Sequence, residues 1–213
     1  MRKLTHAALV LLAALGAAPL HGAEKPMDEG RIPLIKREDM TPEQQREYDK
    51  NPTARTNIAR LFAVAPTMSP ALTNLNIAMA TTITVPPLER EIVALATLHL
   101  DRGEYEIAQH LVVADMMGIP KAKVDAIAQE RYGADVFDQR EKALLNFTRQ
   151  VVRSVRVDQP TFDALAAFYT PRQIMETVFV ISNYMMILRL TEVAELPVDG
   201  TEGANFWKHQ NKD

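Results

Sequence analysis

Glu106 and His110 stand four residues apart. On a helix that spacing puts both side chains on one face, where Val113, Ala114 and Met117 flank them. A carboxylate beside an imidazole raises its pKa and orients the ring, as a general acid or base requires. The same spacing also describes an ordinary surface pair worth about 0.2–0.5 kcal/mol. Glu91 is the third candidate. On a helical wheel with Glu91 at zero, Leu98 falls at about 340° and Leu95 at about 40°, so this carboxylate sits inside an apolar stripe. An ionised carboxylate among leucines is costly unless a cation or donor meets it. Glu89 and Arg90 fall elsewhere on the wheel and read as solvated. Glu-x-x-x-His with Glu91 could offer metal ligands, but no ligand-dense cluster accompanies them, and neither a metal nor another cofactor is expected.

Three further residues are candidates for holding a substrate. Arg189 lies in an apolar run from Val178 to Leu190, interrupted otherwise by Ser182, Asn183 and Tyr184. It needs a partner: a core carboxylate such as Glu91, a carbonyl, or a substrate carboxylate gripped in bidentate fashion. Tyr184 shares that run. His99 reads as a rim histidine, on the far side of Leu95 from Glu91. Met116, Met117, Met185 and Met186 read as adaptable packing, and His209 as a solvated tail residue.

The elements that must position these groups are helical. Thr41-Pro42-Glu43-Gln44 has the form of a capped helix start. Helices are expected over residues 57–64, 66–82, 88–100, 104–117, 120–129, 138–155, 160–169 and 171–190, with proline at or near the start of several. Val85-Pro86-Pro87 is a hard break. Asp101-Arg102-Gly103 is a tight turn that makes its two helices antiparallel neighbours, so Glu91 and His110 can face one another. Gly118 suits a left-handed helix stop. Alternating β patterns are nearly absent, and the expected fold class is all-α, a single helical domain. The nearly all-round apolar last helix implies a homo-oligomer.

Composition narrows the chemistry. The chain has 213 residues, 24 basic and 27 acidic, for a net charge of −3. That balance argues against nucleic acid as a partner. Cysteine is absent, which removes disulfides, thiolate nucleophiles, cysteine–zinc sites and Fe–S clusters. The 8 glycines include no phosphate-cradling loop. Arg2 and Lys3 precede an apolar stretch of 14 residues, Ala7 to Leu20, that ends near Gly22 and Ala23. This is the layout of a secretory signal peptide, shorter than the roughly 20 residues of a membrane span. The expected organisation is a signal peptide over 1–23, an arm over 24–40, the helical domain over 41–199 and a polar tail over 200–213, in a protein exported to the periplasm or beyond.

The stretch Glu89-Arg-Glu-Ile-Val, the block Gly103-Glu-Tyr-Glu-Ile-Ala-Gln-His110 and Gly118-Ile-Pro resemble the carboxymuconolactone decarboxylase family, which shares the alkylhydroperoxidase D-like all-α fold. Arg31-Ile-Pro-Leu, Thr41-Pro-Glu-Gln and the run from Val178 to Leu190 extend the likeness over about residues 31–199. The resemblance implies a trimer or hexamer. Its peroxidase branch uses a Cys-x-x-Cys pair whose positions here hold Gly103 and Glu106, while Glu91 and His110 match. A thiol peroxidase cycle cannot run without thiols. The decarboxylase branch implies acid/base work on a small carboxylate or lactone, with Glu91, Glu106 and His110 moving the protons. The expected function is therefore a cofactor-independent lyase or isomerase. The alternatives are a non-catalytic binding or structural member of the fold and, behind it, a peroxidase-like antioxidant protein that borrows a partner's thiols.

Overall fold

Residues 30–51 and 53–199 are described in the structure, a computed structural model. The leader expected over 1–23 and the tail over 200–213, with His209, lie outside the described residues. Among the described residues there are nine α-helices and no strands.

The helices start where the sequence supplies caps. Helix α1 (Pro42–Lys50) opens on a capping box in which Thr41 Oγ1 accepts from Gln44 N–H and Gln44 Oε1 accepts from Thr41 N–H. The same reciprocal cap opens α7 (Gln139–Ser154) with Asp138 and Glu141, and α9 (Pro171–Val193) with Thr170 and Gln173. Asp158 caps α8 (Gln159–Ala166). Helices α2 (Asn57–Ala63) and α6 (Lys121–Ala128) fall close to their expected positions. Helix α3 (Ser69–Thr81) begins three residues after Pro66, later than expected. There Met68 N–H bonds back to Ala65 in a turn and Pro70 takes the first-turn role.

Helix α4 (Pro87–Asp101) is the axis of the bundle. Val93 through Leu98 are wholly buried, which happens only when neighbours surround a helix on every side. One cluster joins Ile92, Leu95, Ala96 and Leu100 to α6, α7 and the Tyr132–Phe137 loop. A second joins Val93 to Leu144, Phe147, Leu165 and, on α9, Val180 and Ile181. A third packs Tyr105 and Ile187 on Ile58, Leu61 and Leu196.

Helix α4 stops at Arg102, whose φ of 62° is left-handed, and α5 (Glu104–Met116) starts at once. Gly103 is buried between them: a Cβ there would stand 2.8 Å from the Cβ of Leu188. Its bare backbone lets the start of α5 approach α9. Gly118, at φ +73°, terminates α5 as its type predicts.

Candidate active site

The antiparallel pair α4–α5 brings the two expected faces together. His110 Nδ1 lies 2.7 Å from Glu91 Oε1. An ionised carboxylate can only accept a hydrogen bond, so Nδ1 carries the hydrogen and Nε2 is left for proton exchange. Glu106 Oε2 is 3.8 Å from that Nε2, an electrostatic neighbour beyond hydrogen-bond reach. Glu106 Oε1 is buried with no hydrogen-bond partner. Tyr184, on α9, meets the imidazole edge-on, with centroids 4.8 Å apart and planes at 87°. Glu91 and Glu106 are each 6% exposed and His110 9%, so the group is closed off from solvent.

This concentration of charge in a dry place moves the proton affinities. Burial pushes the Glu106 carboxyl up to about 7; His110 works against that rise, while Asp199, Glu91 and Glu192 add to it. Burial alone would lower the His110 pKa, but Glu91 and Glu106 outweigh it and hold the ring above its ordinary value. Burial, then Glu91 and Glu106, drive the Tyr184 hydroxyl well up, so it stays protonated. The site thus sets a carboxyl raised to about 7 beside an imidazole held above its ordinary value.

The other candidates lie elsewhere. The guanidinium of Arg189 is half exposed and pairs with Asp101 and the Met185 carbonyl, not with Glu91. The short α4–α5 turn places Asp101 beside α9, closer to that arginine than the core carboxylate is. His99 makes none of the cluster's contacts; its Nε2 is buried without a partner, and burial lowers its pKa, which favours the neutral ring. Glu89 and Arg90 are not solvated as expected. Glu89 is held by Arg140 and Tyr169, while Arg90 Nη1 donates to the carbonyls of Met79 and Ala80 at the end of α3. Arg90 is also the cation that acts on His110 and Tyr184. Its place next to Glu91 was the only sequence signal for that role. Among the described residues no three His, Asp or Glu side chains are arranged to hold a metal ion.

Two recesses flank the cluster without reaching it. A crevice of about 220 Å³ lies over Tyr105, Thr191 and Glu192. A larger groove of about 690 Å³ runs between α2, α3 and α9, lined almost wholly by carbon from residues such as Phe62, Leu72, Met186 and Leu190, with Arg189 on its wall. Glu106 and His110 line neither.

No family model and no curated protein sequence matches the chain. Solved structures do. A peroxidase-related protein from Silicibacter sp. superposes with a TM-score of 0.72 at 17% identity, covering 87% of this chain and 100% of its own. A protein from Ralstonia eutropha, described as an alkylhydroperoxidase AhpD core, gives 0.71 at 17% identity over 83% and 95%. The debrominase Bmp8 gives 0.66 at 18% identity over 81% and 95%, and a variant of it has been solved with 2,3,4-tribromopyrrole. By architecture, then, this chain is an all-α protein of the alkylhydroperoxidase D-like fold.

Proposed function

We propose that this protein is a cofactor-independent acid/base enzyme of carboxymuconolactone decarboxylase type, a lyase or isomerase acting on a small unsaturated organic acid or lactone. The observation that carries this is the imidazole of His110 anchored by Glu91 at 2.7 Å with the orphaned carboxyl of Glu106 on its other side. Glu91 orients the ring and favours its charged form. His110 Nε2 and Glu106 exchange the working proton. In a decarboxylation the carbon–carbon bonding pair passes into the unsaturated lactone as carbon dioxide leaves, and the proton from the pair is delivered to that carbon. In an isomerisation the same two groups remove a proton and return it one position along. Tyr184, uncharged and edge-on to the ring, supports the carbonyl side of the substrate.

The fold neighbours include an enzyme, the debrominase Bmp8, a variant of which holds 2,3,4-tribromopyrrole, a small ring. The reading also takes the leader as an export signal, placing the work outside the cytoplasm, and the exposed row Met175, Phe179, Met186, Leu190 and Val193 on α9 as a contact between copies. The test is a screen of the purified chain against small unsaturated lactones and keto acids, following carbon dioxide release and proton–deuterium exchange. Exchange or release that disappears in His110→Gln supports the enzyme. The apolar groove supports a second reading, a small-molecule-binding member of the fold; saturable binding with no turnover on any substrate class would favour it.

A further inference from the structure

After α9 the chain does not leave the molecule. Leu196 packs with Ile58 and Tyr105, and the following residues run back along α5 as a strap. Asp199 is its anchor. Its carboxylate accepts from the Tyr105 hydroxyl, from Gln109 Nε2 at 3.0 Å and from the Asn57 backbone N–H at 2.7 Å, while Asn57 Nδ2 donates to the Pro197 carbonyl at 3.0 Å. The Tyr105 hydroxyl also accepts from Ile58 N–H, tying α2 into the same knot. Tyr105 and Gln109 stand one residue before and three residues after Glu106, so the strap grips α5 on both sides of the orphaned carboxyl.

We propose that Asp199 is a positioning residue for the acid/base pair: docked on α5 by the strap, its negative charge adds to burial in holding Glu106 as an acid. This rests on the acid/base reading of the site. Burial raises the Asp199 carboxyl, while the Tyr105 hydroxyl, the Asn57 N–H and the Arg60 cation work against that rise and favour its charged form; a like charge nearby disfavours ionisation of a second carboxyl. Asp199 is the strongest of the like charges acting on Glu106. Glu91 from α4 and Glu192 from α9 act in the same sense, and His110 from α5 opposes them. Tyr105 on α5 and Tyr184 on α9 face the same space as neutral hydroxyls. Without the strap, Glu106 would lose a repelling neighbour and gain access to water, both of which favour its ionised form.

The experiment titrates Glu106 itself, with no substrate present, so it is independent of whether turnover is ever found. In the full chain, the ¹³C side-chain carboxyl resonance of Glu106, assigned by its loss in Glu106→Gln, is followed over about pH 4 to 9. Asp199→Asn removes the charge and keeps one acceptor oxygen, which can still serve Tyr105 and Gln109 while the Asn57 N–H loses its acceptor. Its expected effect is a downward shift of the Glu106 midpoint by about one unit, a tenfold change in proton affinity. Glu195→Gln neutralises a carboxylate on the same segment that faces Arg31 instead, and should leave the midpoint in place. Should Asp199→Asn fail to fold, Asn57→Ala decides: it removes the Nδ2 bond to the Pro197 carbonyl, one of the strap's two bonds to Asn57, keeps the backbone N–H on Asp199 and leaves the cluster untouched, so the midpoint should again fall, by less. An unchanged midpoint in a folded Asp199→Asn, or in Asn57→Ala with the strap shown free by proteolysis, overturns the assignment. Loss of activity in His110→Gln with no Glu106 shift in Asp199→Asn would leave the enzyme and remove the strap.

Discussion

Glu89 and Glu91 are two residues apart on α4 and serve opposite ends. Glu89 meets Arg140 through two bonds, 2.6 Å and 3.0 Å, and takes a third from the Tyr169 hydroxyl at 2.7 Å. The guanidinium also lies 4.2 Å over the Tyr169 ring. One anion faces one cation, and the oxygens are occupied. Across the helix, Glu91 and Glu106 share a single imidazole, and one carboxyl oxygen has no partner. The first arrangement is electrically closed and holds α4 to α7 and to the end of α8. The second is closed only by a proton, and a group that needs a proton to be neutral can give one up. What sets the two ion clusters apart is therefore their stoichiometry, not their burial.

The largest expected effect breaks the Glu91 side. His110→Gln keeps polarity and can still bond Glu91 but cannot titrate. It should lower kcat/KM by about 10²–10⁴-fold with little change in the melting curve. Steady-state kinetics with calorimetry checks both halves, and a wild-type rate would remove the histidine from the chemistry.

The next effect concerns stability against pH. Glu106 is raised from 4.5 to about 7 in the folded chain, so the folded state binds more protons than the unfolded state in that window. Its contribution to stability is fully present below the unfolded value and is lost as pH rises through the folded one. His110, also raised, acts in the same direction. Glu106→Gln removes the first of these, and its advantage over the parent chain should grow to about 3 kcal/mol at pH 8. Denaturant titrations at pH 4.5 and 8 measure it; a pH-independent difference would contradict the buried, protonated carboxyl.

Breaking the Glu89 side should cost stability and leave chemistry alone. Arg140 is partly exposed, so solvent screens the pair, and Arg140→Met should destabilise by about 1–2 kcal/mol without moving the pH optimum. A shifted pH profile would show that the two clusters communicate. Glu91→Gln should slow the reaction and also displace that profile, the displacement being the smallest effect; both are read from kcat/KM against pH.

The contrast between the two clusters also marks what the sequence revealed. Glu91 was found because it interrupts a leucine stripe, and His110 because Glu106 stands on its face; both are periodicity signals within single helices. The α4–α5 pairing followed from a three-residue turn. The cap read at Thr41 is local and fixed the start of α1; the boxes at Asp138 and Thr170 are as local, yet only the helix ranges they open were read from the sequence. The partners of Arg189, Glu89 and Arg90 were not legible, since each is met across the bundle by a residue 10 to 88 positions away. Asp199 was missed for the same reason. Nothing in its neighbourhood shows that a residue just before the polar tail will dock on α5, because that contact depends on where α9 ends and the chain turns back.

Gly103 separates this chain from redox chemistry more firmly than its composition does. The resemblance assigns a cysteine pair to positions 103 and 106. At 106 a thiol would fit the space of a longer side chain. At 103 there is no room even for the first carbon, because Leu188 already stands there. A dithiol therefore cannot be restored by changing those two residues alone; Leu188 must shrink or α9 must slide outward, disturbing the helix that also carries Tyr184. The close approach of two backbones acts as a ratchet, in which installing a thiol pair at these positions would first require loosening the helix that carries Tyr184.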